Sequence, residues 1–181
     1  MRILNLNKLQ NGLPGITPVI GAFYMEAAIV SLMKKGFQSG VKLKVDGAFT
    51  EVFILEWKTN LTPFQLNSWK EENHYHSAGA VALSLLLIKE LLGFTIFEEG
   101  TIGTGIDYWL GKEEKIDEFN PFFKKLARLE ISGIGKATPK NSINMRINKK
   151  KKQISPSDNT KLEGWISVVE FSTPKTKIIK K

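Results

Sequence analysis

Two carboxylates stand alone among apolar residues: Asp107 in TGIDYWLGK and Glu130 in ARLEISGIG. Both stretches read as β-strands, whose side chains alternate between faces. Asp107 then shares a face with Trp109, and Glu130 with Arg128 and Ser132. If the strands form an antiparallel pair with its midpoint near residue 118 or 119, the two acids face each other across the ladder at about 5 Å. Carboxylates so placed can hold one Mg²⁺ or Mn²⁺ and leave room for water and phosphate oxygens. The plainer reading is two acids on a solvated sheet face, with Arg128 as a surface partner.

Other groups are weaker candidates. Asp46, Glu56 and Lys58 spell an acid followed by Glu-x-Lys. Asp46 belongs to a hairpin turn and Glu56 lies far along the returning strand, some 20 Å or more away at about 3.3 Å per residue. His74 and His76 are the only histidines. On a helix they point about 200° apart, so they read as residues of a helix entrance, either one a candidate base or phosphate contact if that end faces the acids. Glu170, in SVVEFST, is a third isolated acid, expected at an exposed edge, and Glu26 is expected to face water from a helix. The glycines of GTIGTG allow another chain to approach closely, but they match neither the Walker nor the dinucleotide pattern.

The elements that must position these residues can be drawn from pattern. Pro18 opens a helix to about Lys35 that stops at Gly36; VKLKVDG and TEVFILEWK form a hairpin around DGA. Thr62 and Pro63 open a polar helix that breaks near His74 to Ser77. The apolar helix from Ser77 to Leu92 follows, ended by Gly93. Next come strands at 94–97 and 105–111, the charged loop KEEKIDEFNP, a short piece around Phe122 to Lys125, and a strand at 126–134. A basic helix or loop from Thr138, a loop at 155–164 and a strand at 165–172 complete the order, with 175–181 as a tail or edge strand.

A chain of 181 residues that is 42% hydrophobic supports one domain with a sizeable core. It has no cysteine, which excludes disulfides, thiolate ligands and thiol nucleophiles, and no Gly-x-Ser-x-Gly elbow is present. The most apolar helical segment at 18–37 is broken by Glu26 and two lysines, so a soluble, cytoplasmic protein with no membrane partner is expected. Net charge is +8 and gathers in the C-terminal third. Lys140, Arg146 and the run Lys149, Lys150, Lys151 and Lys152 form a candidate nucleic-acid contact, attracting phosphate without reading bases.

This order of helix, three strands, helix and strand, with acids on the second and third strands, resembles the core of the PD-(D/E)xK nuclease superfamily. The resemblance covers about residues 70 to 172. It implies an α/β fold with a mixed central sheet flanked by helices, a restriction-endonuclease-like core at 66–174, an N-terminal helix and hairpin addition at 1–65, and a basic tail at 175–181. It further implies Asp107 and Glu130 as ligands of Mg²⁺ or Mn²⁺, completed by an acid on the preceding helix, with Glu72 or Glu71 the nearest match. The partner implied is nucleic acid, DNA first, and the activity a metal-dependent phosphodiesterase; oligomeric state stays open. Ser132 occupies the position where the family places its lysine, and a hydroxyl cannot replace that ammonium. Lys136, on the parity of Glu130 if the strand continues, is the first substitute expected, with Lys112 and Lys140 behind it. A catalytically inactive nucleic-acid or protein binding module is the alternative.

Overall fold

The computed structural model describes residues 2–113 and 125–181. The expected piece at Phe122 therefore lies outside the described residues, apart from Lys125 at its end. Capping residues start the helices where the sequence places them. Thr17 caps α1 (Pro18–Met33), with Pro18 in the first turn. The Phe37 amide returns to the Leu32 carbonyl at 3.1 Å around Gly36, which sits at φ 84°. Thr62 and Gln65 cap α2 (Pro63–Ser68) reciprocally. Ser142 caps α4 (Ile143–Gln153) by accepting from the Met145 amide at 3.3 Å.

The long apolar helix, α3 (Glu72–Leu92), begins five residues before the expected start at Ser77. The chain breaks instead at Trp69, whose extended ψ of 91° ends α2. By length and composition α3 could cross a bilayer; 67% of its apolar window is buried inside the protein. It packs against α1 closely enough that a Cβ on Gly79 would lie 2.9 Å from the Ala28 Cα. Both helices cover one face of the sheet.

Among the described residues eight strands make that sheet: β1 (Arg2–Asn5), β2 (Val41–Gly47), β3 (Glu51–Glu56), β4 (Thr95–Glu99), β5 (Tyr108–Gly111), β6 (Ala127–Ile134), β7 (Glu163–Glu170) and β8 (Lys175–Lys180). Their order is β1-β3-β2-β8-β7-β6-β5-β4. The pairs β1/β3, β2/β8 and β6/β7 are parallel and the remaining neighbours antiparallel, so the sheet is mixed. A parallel pair needs a crossover, and α4 supplies it between β6 and β7 on the face opposite α1 and α3. Leu43, Phe53, Leu55, Leu129 and Leu110 point to the α3 side with Leu83 and Leu87. Trp109, Ile134, Ile166 and Val168 point to the α4 side with Ile147 and Ile154. The mixed sheet flanked by helices is thus as expected.

Four local expectations are corrected. Residues 175–180 are neither tail nor edge: β8 lies in the sheet interior, with Thr176 and Ile178 buried and Lys175 paired with Asp46 at 2.6 Å. Glu170 is buried rather than exposed, because the β7–β8 turn closes on its carboxylate. The amides of Ser172 and Thr173 donate to it at 2.9 Å each, and both hydroxyls join them. Burial pushes its pKa up, and those hydrogen bonds outweigh burial and hold it below the usual value. Glu26 is half-buried and accepts from Trp69 Nε1 at 2.9 Å. Strand alternation places Ile106 on one face with Tyr108 and Leu110, but it joins the α4-side cluster because it precedes β5 and follows Gly105 at φ 70°.

Candidate active site

Register brings the two isolated acids together. β5 pairs with β6 through Tyr108↔Leu129, Trp109↔Arg128 and Leu110↔Ala127. One step further along that register sets Asp107 opposite Glu130, as the alternation and the midpoint of the connection require. Asp107 lies just before β5: its amide donates to the Leu129 carbonyl at 2.9 Å and its carbonyl accepts from the Gly100 amide at 2.7 Å. Its carboxylate replaces a ladder bond, with Oδ2 accepting from the Ile131 amide at 2.7 Å. Beyond this point β6 pairs, among the described residues, only with β7, and the freed side opens into a cavity of about 690 Å³.

The cation beside the acids comes from α4. Lys150 Nζ donates to Glu130 Oε1, forming an ion pair in which Glu130 is fully buried and the lysine side chain 14% exposed. Sequence reasoning placed Lys150 among the nucleic-acid contacts of its lysine run and missed its pairing with Glu130, although a signal exists. Ile143, Ile147 and Ile154 share a helix face with position 150 and pack toward the sheet, so a lysine there sits in an apolar stripe and needs an acid. Arg146, Lys149 and Gln153, at helical spacing around it, also line the cavity.

Arg128 fixes the far end of α4. It is not a surface partner of Glu130 but is 4% exposed, donating to the Leu162 carbonyl at 2.8 Å, Ser157 Oγ at 2.9 Å and Asp158 Oδ1 at 3.0 Å. Gly105 lets the segment before Asp107 lie against the same end, where a Cβ would fall 1.8 Å from the Gln153 carbonyl oxygen. The GTIGTG glycines are expected from sequence to admit another chain, whereas the close approach at Gly105 is to a helix of the same chain.

The remaining candidates fall in different places. Ser132 is buried, 8% exposed, and its residue lines the cavity. Lys136 is exposed past the end of β6, and neither it nor Lys112, Lys140, Lys151, Lys152 or Glu72 lines the cavity. Glu72 opens α3 and interacts with Tyr75. His74 is exposed on the cavity wall, whereas His76 is buried and stacked on Phe171 with ring centroids 5.3 Å apart. Glu99, Tyr24 and Tyr108 were not anticipated and line the cavity too, the two phenol oxygens 2.8 Å apart.

Electrostatics mark the acid pair as unusual. Burial first, and then the neighbouring Asp107 charge, push Glu130 up to about 7 against the opposing pull of Lys150. Asp107 is also raised by burial, with the Ile131 amide and Lys150 opposing. While both acids are ionised, Glu130 Oε2 has no donor among the described residues; Asp107 and Glu130 hydrogen-bond to each other only when one carries a proton. Lys150 occupies one Glu130 oxygen and the Ile131 amide one Asp107 oxygen, so one oxygen of each remains for a cation. Among the described residues no group of three or more His, Cys, Asp or Glu converges, so a Mg²⁺ here would complete its shell with water or phosphate oxygens. The donor set fits such an ion. No protein-family model, curated protein or solved structure matches the chain.

Proposed function

We propose that the protein is a divalent-metal-dependent phosphodiesterase that hydrolyses nucleic acid, with Asp107, Glu130 and Lys150 as its working unit. The observation that carries this reading is the ion pair of Lys150 with fully buried Glu130 opposite Asp107, where Lys150 and Asp107, though not Glu130 itself, line an open cavity. A structural pair would gain little from a second, half-buried acid with a raised pKa beside it, whereas a site for a cation and a phosphate needs both. Asp107 and Glu130 would hold Mg²⁺ or Mn²⁺, which supplies Lewis-acid polarisation of the phosphate when bound.

The chain's own groups supply the rest. Lys150 neutralises one carboxylate, holds Oε2 of Glu130 toward Asp107, and places an ammonium beside the reacting phosphate. Arg146 and Lys149, one turn and one residue away on α4, attract the non-reacting phosphate oxygens. Water attacks phosphorus and releases a proton to solvent, the bond to the departing sugar oxygen breaks and that oxygen takes a proton from solvent, and the positive charges oppose the negative charge developing on the phosphate. The ammonium that Ser132 cannot provide thus comes from the crossover helix, which favours an active enzyme over an inactive binding module. Purified protein incubated with mixed DNA and RNA and Mg²⁺ or Mn²⁺ should cut, and Asp107→Asn and Glu130→Gln should each lose roughly 100-fold or more. Equal cutting by both variants would remove these acids from the reaction.

A further inference from the structure

Part of the wall of the cavity that Asp107 lines is aromatic. Phe23 from α1 is 38% exposed and lines the cavity with exposed His74 from α3. Their ring centroids lie 5.7 Å apart, and Trp69 packs against both, 5.5 Å from Phe23 and 5.8 Å from His74. The bond from Trp69 Nε1 to Glu26 fixes the indole behind them. The rings therefore form a supported platform on the rim, not a buried core contact. Exposed Asn73 and Ser77, on α3 with His74, line the same cavity and offer it an amide and a hydroxyl.

Resting on the phosphodiesterase reading, we propose that this platform stacks an unpaired nucleobase, so that the substrate strand is single-stranded or locally unpaired beside the scissile phosphate. The cavity divides its work: Lys149, Lys150 and Arg146 face the phosphate, and Phe23 and His74 face the base. Bases within a duplex have their faces covered by neighbours, so only an unstacked base can use such a platform. A volume of about 690 Å³ lies in the range that encloses a small ligand, which suits one or two nucleotides and not a double helix. The hydrogen-bonded Tyr24 and Tyr108 hydroxyls lie on the same cavity surface and link the aromatic helix to the strand of Asp107.

The test is fluorescence anisotropy of the full chain in EDTA at one fixed salt concentration, with labelled strands of about six nucleotides as DNA and as RNA. A duplex of the same sequence and an abasic strand of the same length serve as comparisons. The expected result is tighter binding of at least one single strand than of the duplex. Removing the bases or substituting Phe23→Ala should weaken single-strand binding roughly tenfold or more, whereas Phe23→Trp retains it. If Phe23→Ala does not fold, the abasic strand and His74→Ala, at an exposed position, give the same reading. Equal binding of single strand, duplex and abasic strand overturns the platform, even if Asp107→Asn still abolishes cutting. Base-dependent binding by a protein that cuts nothing with Mg²⁺ or Mn²⁺ supports the platform and rejects the hydrolytic reading.

Discussion

Glu130 lies fully buried beside Asp107, and its pKa near 7 makes folding stability depend on pH with a definite sign. The unfolded chain releases this proton near the ordinary 4.5, while the folded protein keeps it up to about 7. Its contribution is therefore present below pH 4.5 and is lost as pH rises through 7. In metal-free protein, urea unfolding at pH 5 and pH 8 should show the wild type less stable at pH 8. Glu130→Gln should flatten that fall, and an unchanged slope would mean that Glu130 has an ordinary pKa. Asp107 and Glu130 were legible as a pair because strand alternation and the midpoint of their connection need only local sequence. Lys150 was not legible by the same route, because it meets Glu130 through a helix crossover and sequence separation carries no information about that contact. Its position in the stripe of Ile143, Ile147 and Ile154 was the available clue.

At the scale of elements, the site depends on how the start of β5 is held against α4. Gly105 is at φ 70° and faces the Gln153 carbonyl, so Gly105→Ala meets both backbone strain and a clash. The expected cost is more than about 1 kcal/mol in urea unfolding, with a loss of cleavage because Asp107 is two residues away. A fully stable and active Gly105→Ala protein would show that this contact does not position the acid. Caps and stops were readable, as at Thr62–Pro63 and Gly93, because each is a property of one or two residues. The start of α3 was misplaced because His74 to Ser77 is polar in sequence. In the fold, His76 is buried against Phe171 and the exposed side of that turn forms the cavity wall.

At the scale of the molecule, the last strand joins the two halves of the sheet. β8 pairs with β2 on one side and β7 on the other, so deleting residues 175–181 would leave two interior strands with open edges. The truncated chain should aggregate or lose its cooperative thermal transition; a dispensable tail would leave melting unchanged. Sequence hid the interior place of this strand because KTKIIK carries three lysines, which the fold satisfies at its margins. Lys175 pairs with Asp46, while Lys180 pairs with Glu163 and lies 5.9 Å from the Trp165 ring centroid. The mixed order of helices and strands was visible from the chain, but the interior position of β8 depends on contacts with residues more than a hundred positions earlier.

Whether Asp107 and Lys150 act as one unit is tested most directly by single-turnover cleavage rates of four proteins: wild type, Asp107→Asn, Lys150→Met and the double variant. Groups that serve one transition state lose most activity when either is removed, and little more when both are. Each single variant should therefore fall roughly 100-fold or more with its cooperative unfolding retained, and the double variant should be close to the slower single. Cleavage by Lys150→Met at the wild-type rate, or losses that multiply fully in the double variant, would contradict the shared site.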